Sequence, residues 1–235
     1  MTQRVDRPNR LYGRKRGHPL SPHQQKRMET LGAALAVPGD RISDSAALFR
    51  TAGPIHMEIG FGGGEHLIDE ATGNPGLNFI GIEPFENGMA NLLFEVEQQG
   101  LSNIRTALED ARDVLDRLPD QCLDRVWLLY PDPWPKKRHW KRRFISDGNL
   151  SALARCLRDG AEFRFASDID TYLSWTLAHV RRHPDFEWLA DSAADWRTPW
   201  EGWKSTRYEE KAFREGRKGH YLTFRRIPRP ASQRP

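Results

Sequence analysis

At 235 residues the chain is long enough for one large domain, or a domain with an arm, without help from disulfides. Its two cysteines, Cys122 and Cys156, lack metal-ligand or redox spacing, and no stretch approaches membrane length, so a disulfide scaffold, a thiol redox motif and a membrane span are excluded and a soluble, cytoplasmic protein is expected. The net charge of +4 hides an uneven distribution: residues 1–27 hold +7, Lys136 to Arg143 hold +6, and the rest of the chain is left with −9, a pattern that favours a polyanionic partner.

Residues 1–27 are rich in Arg, Pro, Gly and His and read as an arm without a fixed fold, with 1–40 as arm and lead-in, 41–228 as one domain and 229–235 as a frayed tail. Ser43 to Phe49 predicts a short Ser-capped helix. Ile55 to Ile59 then predicts a strand that runs into a turn holding Gly60, Gly62, Gly63 and Gly64, followed by helical periodicity through Leu67, Ile68 and Ala71. Glycine lets backbone approach a ligand closely, and the helix start offers unpaired amide donors. A glycine turn alone is a weak signal. It gains from Glu58 just before it and from Glu83, which ends a second strand at Phe79 to Ile82. An acid there commonly accepts hydrogen bonds from ribose hydroxyls. The pattern points to a nucleoside-containing cofactor.

Glu86 to Gln99 predicts a helix with Met89, Leu92, Leu93 and Val96 on one face and Gly100 closing it. Asn103 to Leu108 predicts a third strand, ending near Asp110, and Ala111 to Leu118 a short helix. Arg125 to Tyr130 predicts a fourth strand, Asp147 to Arg158 a helix, Glu162 to Ala166 a fifth strand ending at Asp168, and Thr171 to Arg182 a helix with Tyr172 and Trp175 in the core. Phe186 to Leu189 predicts a short strand. Trp196, Trp200 and Trp203 follow in a polar loop as packing anchors. Thr206 to Glu209 reads as loop, and His220 to Arg226 as the last strand.

The fourth strand leads into Tyr130-Pro131-Asp132-Pro133-Trp134-Pro135 and then six Lys/Arg by Arg143. Three prolines fix three φ angles and remove three donors. Residues before proline are pushed away from the helical region, so Tyr130, Asp132 and Trp134 are expected to be extended. The result is a stiff loop at the carboxyl end of a strand, where ligands bind in open α/β sheets. It presents a carboxylate, an indole and a run of cations, which suits a nucleobase and its phosphates. Trp134 is either a stacking surface or packing beneath the loop.

The strand–helix alternation, the Glu58–Gly64 turn, Glu83 and Asp110 resemble the Rossmann-like methyltransferases that use S-adenosyl-L-methionine. The Pro131-Asp132-Pro133-Trp134 loop with Lys136, Arg138, His139 and Lys141-Arg142-Arg143 is similar to the signature of the bacterial tRNA (guanine-N7-)-methyltransferase family, as is Thr206-Arg207-Tyr208-Glu209. The resemblance runs from about Ile55 to Arg226. It implies an α/β fold: a class I methyltransferase with a mostly parallel seven-stranded sheet, helices on both faces and an antiparallel last strand. It implies cofactor binding at Glu58, Gly60, Gly62, Gly64, Glu83, Asp110 and Asp132, with Asp132 as the active-site residue. It implies substrate contacts at Lys136, Asp168, Thr206, Arg207, Tyr208 and Glu209. The expected reaction is methylation of guanosine 46 in the tRNA variable loop, by a monomer with no metal, no membrane contact and no obligate protein partner. Guanine N7 already has an in-plane lone pair, so positioning and electrostatics are expected to carry catalysis. Asp132 either accepts hydrogen bonds from the guanine N1–H and amine or takes a proton. A methyltransferase for a small molecule or protein, and an RNA-binding module without activity, stay open as alternatives.

Overall fold

The structure is a computed structural model and describes residues 12–230. The expectations for residues 1–11 and 231–235 lie outside the described residues. In order the elements are α1 (Pro22–Arg27), a π-helical turn (Met28–Gly32), α2 (Ala33–Leu35), a 3-10 turn (Ala46–Leu48), β1 (Ile55–Ile59), α3 (Glu65–Gly73), β2 (Asn78–Ile82), α4 (Glu86–Gln99), β3 (Ile104–Ala107), α5 (Ala111–Arg117) and β4 (Leu123–Leu129). A 3-10 turn (Lys137–Arg142) follows, then α6 (Asp147–Cys156), β5 (Leu157–Ser167), α7 (Asp170–Val180), β6 (Phe186–Trp188), α8 (Ala194–Arg197), α9 (Arg207–Arg214) and β7 (His220–Arg226).

The strands form one sheet in the order β3-β2-β1-β4-β5-β7-β6. All neighbouring pairs from β3 to β5 are parallel, and β7 runs antiparallel to both β5 and β6. This is the mostly parallel, seven-stranded sheet expected, with its last strand reversed. The strand order turns back between β1 and β4, and both the glycine turn and the Pro-rich loop leave the sheet there. Such switch points open a crevice at the carboxyl ends of strands.

Both faces of the sheet are covered. Leu67 of α3 and Leu92, Leu93 and Val96 of α4 pack on one side with Phe79 and Trp127. Val114 and Leu115 of α5, Leu150 and Leu153 of α6, and Tyr172 of α7 pack on the other with Val126, Phe163 and Phe165. Each such side chain contributes roughly 1.5–3 kcal/mol by leaving water. The helical faces that bury are those read from the 3.6-residue period.

Several stretches differ from expectation, among them α8 and α9, which form where loop was expected. Residues 22–35 are helical rather than an unfolded arm. Ser21 accepts from Gln24 N, the Gln24 side chain returns to Ser21 N, and Pro22 fits the first turn. Met28 and Leu31 then pack on the α4 side of the core, and Arg27 pairs with Glu97 at 2.7 Å. The predicted 43–49 helix shortens to one 3-10 turn, preceded by Asp44, whose side chain accepts from Ala46 N. The helix expected to reach Arg158 stops at Cys156, because Leu157 pairs with Leu123 and is fully buried in the sheet. At the carboxyl end, Arg229 is not frayed: its guanidinium pairs with Asp159 and donates to Ala154 O.

Among the described residues, no helix is long and apolar enough to cross a membrane. The same residues contain no group of three or more His, Cys, Asp or Glu placed to hold a metal ion. Cys122 and Cys156 are buried free thiols.

Candidate active site

Three strands on one half of the sheet are followed by an acid just past their carboxyl ends: Glu83 after β2, Asp110 after β3 and, across β1, Asp132 after β4. Two adjoining cavities lie over them. One, of about 200 Å³, is lined by Gly60, Asp110, Asp132 and Trp134 among others. The second, of about 340 Å³, is lined by Gly60, Gly62, Glu83, Asp132 and Tyr208 among others. Tyr12, Ile59, Gly60, Pro84, Pro131 and Asp132 border both. Asp132 therefore stands on the rim that the two share.

The glycine turn forms the floor. Gly60, Gly62 and Gly64 all have positive φ, at 73°, 60° and 89°. At Gly62 a Cβ would also lie 2.9 Å from the Tyr208 ring, so this turn and α9 meet without room for a side chain. Gly62 N donates to Glu83 Oε2 at 2.7 Å, and Phe85 N donates to Glu83 Oε1 at 2.9 Å. Those two bonds fix the Glu83 carboxylate, and each oxygen keeps a lone pair for a ligand. Burial raises its pKa despite the two amides.

The four acids have different surroundings. Glu58 is buried and faces His66, whose Nδ1 lies 2.8 Å from Glu58 Oε2. Burial alone would pull the His66 pKa down, but the adjacent Glu58 carboxylate raises it. His66 in turn rests against Trp127 and Trp203 at 5.1 and 5.2 Å. Asp110 caps α5 by accepting from Arg112 N and pairs with the Arg112 guanidinium. Burial pushes its pKa up, yet the Arg112 bonds outweigh it and hold the carboxyl below its ordinary value. Asp132 is different: none of the described residues donates a hydrogen bond to it. The surrounding walls desolvate its carboxyl, and that alone raises its pKa. The residue as a whole is nonetheless exposed to solvent, so the desolvation is partial.

The Pro-rich loop is stiff but not extended as expected. Tyr130 and Trp134 have φ of 47° and 44°, in the left-handed region, each before a proline. Such residues cost on the order of 1–3 kcal/mol apiece and persist only where their surroundings hold them. The holding contacts are visible. Arg143 is buried and donates to Pro133 O at 3.0 Å and to Thr171 O at 2.8 Å, between the rings of Trp140 and Tyr172. Arg142 lies 4.9 Å from the ring centres of both Tyr12 and Trp134. Trp134 thus packs against Arg142, Tyr12 and His139 rather than under the loop in the core. Lys136, Lys137, Arg138 and Lys141 are exposed. Of the six cations in the block, two serve the loop itself.

The remaining expected substrate contacts scatter. Asp168 follows β5 and pairs with Arg217 at 2.5 Å. Thr206 caps α9 by accepting from Glu209 N at 3.2 Å. Arg207 and Tyr208 are exposed on the first turn of α9, and Tyr208 borders the second cavity. Glu209 is 1% exposed and turns inward. Lys136, Asp168, Thr206, Arg207, Glu209, Glu58 and Gly64 line neither cavity. Sequence reasoning missed α9 altogether, although Thr206-x-x-Glu209 has the spacing of a helix start. It also missed Tyr12 as a cavity wall and Arg143 as the loop's pin. No sequence signal separates Arg143 from the cations beside it.

A family model described as "Putative methyltransferase" matches residues 52–222. A tRNA (guanine-N(7)-)-methyltransferase from Mesorhizobium japonicum is 53% identical over 226 residues, covering 93% of this chain and 97% of the relative. One of the same name from Rhodopseudomonas palustris is 48% identical over 230 residues, covering 97% and 90%. Among solved structures, an rRNA methylase from Streptococcus thermophilus superposes with a TM-score of 0.51 at 9% identity, covering 74% of this chain and 87% of that one. The [4+2]-cyclase SpnF does so with 0.53 at 15% identity, covering 77% of each. A cyclase on the same scaffold shows that these likenesses speak for the fold alone. With half its residues identical to curated relatives over nearly its whole length, the chain belongs to the tRNA (guanine-N(7)-)-methyltransferase family.

Proposed function

We propose that this protein transfers a methyl group from S-adenosyl-L-methionine to N7 of guanosine 46 in the variable loop of tRNA, giving 7-methylguanosine. The relatives' shared name supports tRNA and guanine N7. The observation that carries the reading is Asp132: a partly desolvated carboxylate with no donor among the described residues, on the rim between two cavities, followed at once by exposed cations.

The cavities suit the cofactor. Glycines of positive φ leave backbone bare at one end, and acids stand where ribose hydroxyls and an adenine amine find acceptors. In this reading Glu83 takes the ribose, Asp110 the adenine side, and the Gly60–Gly64 turn with Glu58 behind it the amino-acid end. When bound, the cofactor supplies an electrophilic sulfonium methyl. Asp132 accepts from the guanine N1–H and exocyclic amine, an edge that adenine lacks, and its negative charge offsets the positive charge that the base gains at N7. No residue has to remove a proton from N7. Lys136 and the neighbouring exposed cations hold RNA phosphates, and Arg207, Tyr208 and Asp168 border the RNA. The enzyme acts in the cytoplasm as a monomer, without a metal. Its catalytic domain is 41–228, with α1 and α2 as a docked lead-in.

Titration calorimetry with S-adenosylhomocysteine tests the cofactor placement. One site is expected, and Glu83→Ala should weaken it at least about tenfold, or ~1.4 kcal/mol. Equal affinity in both proteins would remove Glu83 from the site.

A further inference from the structure

Glu209 has the surroundings of a structural hub rather than an RNA contact. It is 1% exposed, so RNA cannot reach it without opening α9. Its Oε2 accepts from Trp203 Nε1 at 2.8 Å. Its Oε1 accepts from Tyr130 Oη at 2.6 Å and also from Tyr221 Oη. Its backbone N donates to Thr206 Oγ1, which starts α9. Four parts of the chain therefore meet at one carboxylate: the loop before α9, α9 itself, β7 and the end of β4. Gly219 closes the cluster from above. A Cβ there would lie 2.6 Å from Tyr130 Oη, 2.7 Å from Tyr221 Oη and 2.9 Å from Glu209 Oε1.

Tyr130 is the member that matters for the site. It immediately precedes Pro131 and Asp132, and it holds a left-handed φ of 47°. A left-handed residue before a proline needs an outside hold. The phenol bond to Glu209 supplies one at the entry of the loop, as Arg143 does at Pro133. We infer that Glu209 is a positioning residue: through Tyr130 it sets the entry of the Asp132 loop and ties it to α9, whose Tyr208 borders the same cavity. The inference rests on the methyl-transfer reading and assigns Glu209 a role inside the protein instead of on the tRNA.

The test uses the full chain with Glu209→Gln, Tyr130→Phe, the double variant and Tyr221→Phe. Two readouts are taken well below the unfolding temperature. One is steady-state methyl transfer to tRNA. The other is tryptic cleavage after Lys136, Lys137 and Arg138, which reports loop order without activity. Glu209→Gln and Tyr130→Phe should each lower kcat at least about tenfold, with KM for tRNA within about twofold. The double variant should be no worse than the poorer single, because both act through one contact. Both should speed cleavage of the loop about fivefold or more. Tyr221→Phe, which removes a hydroxyl from the same cluster but leaves the Tyr130–Glu209 bond in place, should lose thermal stability but keep kcat within about twofold. If Glu209→Gln instead raises KM for tRNA at unchanged kcat, or if the two losses add fully, the positioning role is wrong. Should Glu209→Gln fail to fold, Tyr130→Phe alone must give the kcat loss and the faster cleavage. If the unaltered protein makes no 7-methylguanosine, the methyl-transfer reading falls, and the cleavage readout still decides whether Glu209 and Tyr130 hold the loop.

Discussion

Of the four acids at or near the cavities, Glu58 is matched by His66, Glu83 by two backbone amides and Asp110 by Arg112; Asp132 alone meets no donor among the described residues. A carboxylate held this way, exposed but partly desolvated, adds little to the fold and is available to a ligand. Its folded pKa is raised, so the charged form is the disfavoured one, and the fold loses stability as pH rises from the ordinary carboxylate value through the raised one. Asp132→Asn removes that cost. At neutral pH the variant should unfold at a temperature equal to or above that of the unaltered protein. Its kcat/KM on tRNA should nevertheless fall at least about a hundredfold, or ~2.7 kcal/mol. A loss of about tenfold or less would mean that the charge is dispensable. A variant that is both less stable and inactive would mean that Asp132 supports the fold rather than the substrate.

At the scale of elements, the loop between β4 and α6 is pinned by Arg143, packed by Arg142 and fringed by exposed cations. Arg143→Ala should cost about 2–3 kcal/mol, a drop of about 5–10 °C in Tm, because Pro133 O and Thr171 O lose their donor in a buried place. Lys137→Ala with Arg138→Ala should leave Tm within about 2 °C and flatten the salt dependence of tRNA binding by about 1–2 units of log–log slope. Thermal unfolding and binding titrations at several salt concentrations check both. The sequence distinguishes these residues poorly, since Lys136 to Arg143 is a single run of charge. The strands and long helices were legible because burial follows a period: α4 and β7 fall where the pattern places them. Three kinds of feature were hidden or overlooked. Ser21-x-x-Gln24 and Thr206-x-x-Glu209 are helix starts in sequence terms, but one sits in a basic arm and the other in a segment that resemblance marks as substrate-binding. The break at Leu157 comes from pairing with Leu123, a contact far along the chain. The left-handed φ at Tyr130 and Trp134 runs against the local preference before proline and depends on tertiary bonds.

For the whole molecule, the sheet buries one group that makes stability depend on pH. His56 lies on β1 against Trp127 and Phe79, and burial, with Arg125 and Arg164 nearby, lowers its pKa to about 4. Above pH 6.5 it is neutral folded or unfolded and contributes no pH dependence. Between pH 6.5 and about 4 the unfolded chain takes up a proton that the folded chain refuses, so stability falls by up to about 3 kcal/mol. Denaturant unfolding at pH 7 and pH 4 should show this loss in the unaltered protein and a loss smaller by about that amount in His56→Phe; equal losses would mean that another group sets the acid limit. The sequence carries two basic blocks on an otherwise acidic chain, and residues of both, Arg14 and Lys141 to Arg143, border the cavities. That arrangement, the bare Asp132 and the family all lead to one reaction on one base. The most direct measurement incubates the protein with unmodified tRNA and methyl-labelled S-adenosyl-L-methionine, then digests the RNA and identifies the labelled nucleoside. Label is expected in 7-methylguanosine, abolished when guanosine 46 is replaced. Label in any other nucleoside, or label in 7-methylguanosine that survives the replacement, would contradict the proposed reaction.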